Sequence, residues 1–178
     1  MEHYETRKSR EAIYDGKVFS VYLDQVELEN GCMVSREVVE HHGGVAVIAL
    51  DESDRLLLVR QYRYGSGREL LELPAGKLNP GEDPRECGIR ELAEETGYLA
   101  GHCEFLVRII PTPAYNSEEI SIYTASDLSF VQQNPDPDEF LSVERLSLEQ
   151  ALELCMAGKI SDSKTLAGIL IYARLMGK

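Results

Sequence analysis

Positive charge is scarce in this 178-residue chain: 18 lysines and arginines stand against 31 aspartates and glutamates, a formal charge of -13. Nucleic acid and anionic membrane surfaces would be repelled at range, so neither is an expected partner. No apolar run approaches the roughly 20 residues that cross a bilayer, and the opening MEHYETRKSREAIYDG lacks the apolar centre of a secretion signal. These two absences predict a cytoplasmic protein. A CxxC pair is also missing: Cys32, Cys87, Cys103 and Cys155 are scattered, which reads as reduced structural thiols, not disulfides or zinc ligands. The acidic balance works equally against any phosphate-bearing small molecule unless a cation intervenes.

What remains is an ordinary globular composition, 43% hydrophobic and 28% charged, in a chain long enough for one domain with a small appended element. No internal repeat is present. Residues 17–40 alternate apolar and polar positions on both sides of Asn30-Gly31, a hairpin turn signal, and predict an antiparallel β element. Residues 43–50 and 55–64 read as a second strand pair, the first apolar on both faces and therefore central. Further strands are expected at 105–110, 119–127 and within 139–147. Two helices close the chain, one capped by the Ser147/Gln150 box and ended by Gly158, the other starting from Ser161 or Asp162. Residues 132–140, QQNPDPDEF, form a Pro-rich acidic loop. His41 and His42 are adjacent, point to opposite faces of a strand and cannot share one ion.

The best-defined element is a helix over about 84–96. Asp83 suits its N-cap, Pro84 its first position, Glu86 an Asp-x-x-Glu box and Gly97 the left-handed C-terminal position. On it Glu91, Glu94 and Glu95 are spaced i, i+3, i+4 and share a face, while Arg90 can pair with Glu94 or Glu86. Like charges at that spacing cost a few tenths of a kcal/mol per pair. A hard divalent cation would reverse the sign, because such ions take carboxylate oxygens together with water and phosphate. The EF-hand spacing is absent. Upstream, a loop rich in Gly and Pro around Gly76 and Gly81 can bring backbone groups to the same ion or to phosphate.

From Gly76 the chain reads Gly, five residues, Glu82, seven residues, Arg90-Glu91-Leu92, one residue, Glu94-Glu95, one residue, Gly97. This resembles the Nudix box, with Tyr98 in place of the final aliphatic residue. Outside the box, SREVVEHHGGVAVIAL, LLLVRQYRYGSGRELLELPAGKLNPGEDP, PTPAYNSEEISIY and GKISDSKT resemble the bacterial ADP-ribose pyrophosphatase group, over almost the whole chain. The resemblance implies an α/β fold of mixed α+β type. Its form would be a Nudix α/β/α sandwich with a central mixed β-sheet (43–178), preceded by an antiparallel β element at 1–42 that makes dimer contacts.

It also implies a Mg²⁺- or Mn²⁺-dependent hydrolase that splits ADP-ribose into AMP and ribose 5-phosphate. Glu91 and Glu95 would be the principal metal ligands, assisted by Glu94, the Ala75 carbonyl and Glu82, with Arg90 holding the glutamates. Glu139 would be the catalytic base, with Asp136 and Asp138 as substitutes. Arg63 would lie near the phosphates, and Glu118 near the terminal ribose. Arg36 would come from a partner subunit of a homodimer with exchanged N-terminal strands, and Phe19 would stack on adenine or else pack in the core. Pro113, 16 residues past Gly97, stands where the group carries a substrate-class proline, though it is followed by Ala114 instead of Gly. Alternative readings are another nucleoside diphosphate sugar or dinucleotide, such as GDP-mannose or FAD, and a nucleotide-sensing module without turnover.

Overall fold

The computed structural model describes residues 3–135, 137 and 139–178, so Asp136 and Asp138 lie outside the described residues. Its contacts divide into two compact units, Met1–Gly43 with Ile110–Glu119, and Gly44–Ile109 with Ile120–Lys178.

The first unit is a three-stranded antiparallel sheet of β1 (Glu5–Asp15), β2 (Phe19–Leu28) and β3 (Met33–His41). The β2–β3 hairpin turns at the expected dipeptide: Gly31 takes φ +80 and its N–H donates to Leu28 O at 2.9 Å. Strand β1 has no apolar period and was not foreseen. It is held by charge pairs across the ladder: Arg10 clamps Asp24 with two 2.8 Å hydrogen bonds, and Arg36 of β3 reaches Glu5 at 2.6 and 3.0 Å. Residues 110–119 return alongside β3, where Val39 N donates to Tyr115 O at 2.7 Å and Ser117 N to Val39 O at 2.9 Å.

The second unit is built on a mixed sheet in the order β7 (Ala75–Lys77), β4 (Gly44–Ala49), β9 (Ile120–Phe130), β8 (Tyr98–Ile109), with β4 and β9 parallel. Every residue of β4 is buried, as an apolar strand with neighbours on both edges requires. A second, antiparallel sheet runs β10 (Leu141–Ser147), β5 (Arg55–Arg63), β6 (Arg68–Glu72). The expected pairing of 43–50 with 55–64 is therefore corrected: β4 and β5 share only the isolated bridge Leu50–Leu56 and then part into different sheets. Both strands are buried on two faces, so each takes its own partners instead of staying in one hairpin.

Among the described residues of this unit the α-helices on these sheets are α1 (Pro84–Thr96), α2 (Leu148–Met156) and α3 (Ser163–Leu175). Alternation along β4 separates the layers. Ala46 and Ile48 pack with Ala151 of α2 and Ile169 of α3, whereas Val47 and Ala49 pack with Leu92 of α1. The same alternation sends Leu56 and Leu58 of β5 to the first cluster and Leu57 to the second. The result is the α/β/α layering expected from the sequence. The Ser147/Gln150 capping box is present, and Asp162, not Ser161, caps α3. All four cysteines are unpaired, Cys32 exposed and the others buried. Among the described residues no helix is long and apolar enough to cross a membrane.

Candidate active site

Local chemistry sets the box helix. The Asp83 side chain accepts from Arg85 N at 2.9 Å and Glu86 N at 3.2 Å, Pro84 occupies the first turn, and Gly97 ends the helix at φ +76. Glu86 does not complete a reciprocal box; its carboxylate takes Arg85 at 2.7 Å. That leaves Arg90 for other partners. Its guanidinium donates to Glu82 at 2.9 and 3.1 Å, to Glu91 at 2.9 Å and to Glu94 at 2.8 Å. One cation thus serves three carboxylates, with Glu82 brought in from the preceding loop, where Asn79 also donates to it through N and Nδ2.

The fourth carboxylate faces inward. Glu95 is only 2% exposed, its Oε2 accepts from Ala75 N at 2.9 Å, and among the described residues it forms no ion pair. Burial pushes its carboxyl up to about 8, with the nearby charges of Glu91 and Glu139 adding to the effect against the Ala75 N–H. Burial also raises Glu91 despite Arg90, again with Glu94 and Glu139 contributing. Glu82 moves the other way, held at about 2 by Arg90. Charge on Glu139 is thereby felt by both Glu91 and Glu95, although Glu139 lies 44 residues beyond Glu95 in sequence. Gly76 is dictated by this crowding: a Cβ there would fall 1.9 Å from Glu91 Cδ.

The donor set suits a hard divalent ion, being carboxylate oxygen with too little positive charge of its own. Among the described residues no three acidic, His or Cys side chains already converge on a common point; Glu82, Glu91 and Glu94 close on Arg90 and Glu95 turns to Ala75. Like-charge repulsion accounts for that arrangement.

Arg63 donates to Glu72 at 2.8 and 2.9 Å. Glu72 is 1% exposed and also binds Lys164 Nζ, which lies 3.0 Å from Asp162. Burial alone would raise the Glu72 carboxyl; Arg63 and Lys164 outweigh it and hold it below its ordinary range. Glu72 and Lys164 were not singled out from the sequence, where they stand 92 positions apart. Gln61, two residues before Arg63 on β5, has a buried Nε2 with no partner among the described residues.

The remaining candidates belong to the first unit. Arg36 is engaged with Glu5. Glu118 Oε1 stands 3.6 Å from His41 Nδ1, the ring nitrogen that accepts from Gly43 N at 3.0 Å. Pro113 lies in a turn closed by Asn116 N donating to Thr112 O at 3.1 Å. Phe19 is not a core residue: it is 41% exposed with its ring 5.8 Å from Tyr14. A hollow of about 680 Å³ in this unit is lined by Tyr22, Arg36, Val38, Ala114 and Tyr115 among others.

Residues 40–167 match the model of the NUDIX domain. The chain belongs to the NUDIX family. It is 40% identical over 161 residues to the methanol dehydrogenase activator of Bacillus methanolicus, covering 89% of this chain and 87% of that one. It is 38% identical over 159 residues to the ADP-ribose pyrophosphatase of Bacillus subtilis (strain 168), covering 88% and 86%. A crystal structure of an ADP compounds hydrolase superposes with a TM-score of 0.85 at 25% identity, over 97% of this chain and 94% of that one. Within the NUDIX box of this chain, Leu92 is fully buried, and Tyr98, the departure from the pattern, packs edge-on against Phe130 at 5.7 Å. An aromatic ring therefore fills the place of the aliphatic side chain.

Proposed function

We propose that this NUDIX protein hydrolyses the pyrophosphate of ADP-ribose to AMP and ribose 5-phosphate, using Mg²⁺ or Mn²⁺. The observation that carries the reading is Glu95, a carboxylate 2% exposed and without an ion pair among the described residues, set beside three further glutamates that share one arginine. Burial makes ionising this carboxyl costly, and a divalent cation would offset that cost. Similarity to an ADP-ribose pyrophosphatase over 88% of the chain supports the substrate.

Glu91 and Glu95 would hold the ion, assisted by Glu94, Glu82 and the Ala75 carbonyl. Such an ion supplies charge neutralisation of the pyrophosphate and acidifies a bound water. Arg90 keeps the glutamates oriented. Glu139 accepts the proton as water oxygen bonds to one phosphorus and the bridging P–O bond breaks in line, its electron pair leaving with the departing phosphate. Arg63, fixed by Glu72, contributes positive charge for the phosphates. In the first unit, Arg36, Phe19, Pro113 and Glu118 are the residues for the nucleoside and terminal ribose, and the 680 Å³ hollow has the size of a small-molecule site. A homodimer through the N-terminal sheet is part of the same reading.

A panel of nucleoside diphosphate compounds assayed with Mg²⁺ tests the reading: ADP-ribose should be cleaved fastest, and preference for GDP-mannose or FAD would overturn the substrate. Glu139→Gln should slow turnover about 10²-fold or more, the scale of a lost general base; a near-normal rate would move the base elsewhere. A second reading, activation of an alcohol dehydrogenase, is favoured by the 40% identity to the methanol dehydrogenase activator. Adding the protein to a methanol dehydrogenase and following its rate separates the two.

A further inference from the structure

The acidic loop leaves β9 and immediately attaches to the C-terminal end of the box helix. Val131 N donates to Gly97 O at 2.8 Å and Asn134 N to Glu94 O at 3.0 Å. Between them the Gln133 side chain donates through Nε2 to Glu95 O at 2.6 Å. The last carbonyls of a helix have no donors within it, so these bonds satisfy groups that would otherwise need water. Gly97 makes the approach possible: a Cβ there would lie 3.0 Å from Val131 O and 3.3 Å from Gln133 N. At its far end the loop is fixed again, where Leu141 pairs with Gln61 of β5. Glu139 sits two residues before that second anchor. Both attachments therefore involve elements of the candidate site, and only one of the helix bonds comes from a side chain. The main-chain bonds of Val131 and Asn134 survive any substitution at position 133.

We propose that Gln133 is a positioning residue, whose amide ties the loop bearing Glu139 to the carbonyl of Glu95 and so sets the proton acceptor against the metal-binding carboxylates. The inference rests on the reading of Glu139 as that acceptor. Gln133 is exposed, and its loss leaves no buried void, so variants there should fold. The bond adds a side-chain tie between the two main-chain bonds, at the start of the stretch that leads to Glu139.

A double-mutant cycle tests this. Gln133→Leu keeps an aliphatic side chain, one bond shorter, and removes the donor. In the otherwise native protein with Mg²⁺ and ADP-ribose it should lower kcat about tenfold, the scale of one net hydrogen bond, with KM little changed. In a Glu139→Gln background the same substitution should cause no further loss, because the group it positions is already inactive. An equal fold-loss in both backgrounds would assign Gln133 to the helix or the fold and overturn the proposal, as would full activity of Gln133→Leu alone. If Glu139→Gln by itself turns over at the native rate, the underlying reading of the acceptor has failed, a result visible before Gln133 is touched.

Discussion

Two glutamates in the second unit are almost equally buried, Glu95 at 2% and Glu72 at 1% exposure, yet their surroundings drive them in opposite directions. Glu72 is met by Arg63 and Lys164 and stays ionised below its ordinary range. Burial pushes Glu95 up to about 8, with the charges of Glu91 and Glu139 adding to it, and one backbone N–H and the more distant charge of Arg63 do not offset it. Burial is common to both, so partner charge makes the difference. A buried carboxylate paired with cations is part of the scaffold; one that forms no ion pair is the better candidate for a ligand.

The largest break in this contrast is Glu95→Gln. Losing a metal ligand should cost more than the 10- to 100-fold typical of outer positions, so ADP-ribose turnover is expected to fall beyond about 10²-fold. The urea midpoint should hold or rise, because Gln removes the cost of burying a carboxyl that would ionise freely in the unfolded chain. Activity near the native level would remove the residue from the metal site.

Next comes Glu72→Gln, the mirror image. Breaking a buried pair by neutralising one partner costs about 3 kcal/mol, to be read from urea unfolding, while hydrolysis should fall only as far as Arg63 loses its anchor. A fully stable variant would show that Arg63 and Lys164 do not need the charge.

Magnesium should act on one side of the comparison only. An ion bound solely to the folded chain adds about 2.7 kcal/mol at 100 times its Kd. Thermal unfolding should therefore shift upward with Mg²⁺ in the native protein and not in Glu95→Gln. Equal shifts in both would place the ion elsewhere.

The smallest effect concerns acid. A carboxyl whose folded value lies below its ordinary 4.5 contributes stability that is fully present above that value and is lost as pH falls through the folded value. The stability gap between native protein and Glu72→Gln should thus be constant near neutrality and narrow below about pH 4.5. A gap that widened on acidification would reverse the assigned direction.

How much of this was legible in the sequence follows from range. Helix α1, its cap, its glycine stop and the common face of Glu91, Glu94 and Glu95 rest on neighbours within four positions, and all were readable. Strand β1 was not, because ion pairs with β2 and β3 replace the apolar alternation that announces a strand. Parting β4 from β5 was equally hidden: two apolar strands and a short turn look like a hairpin until β9 and β10 compete for their edges.

By itself the sequence determined the box, its helix and the surplus of negative charge that calls for a cation, since spacing along one helix fixes which side chains share a face. Only the tertiary structure decided which glutamate is stranded and which is satisfied. That depends on Ala75, Arg63, Lys164 and Gln133 arriving from distant segments, and burial and partner charge are properties of the packed unit, not of the residue.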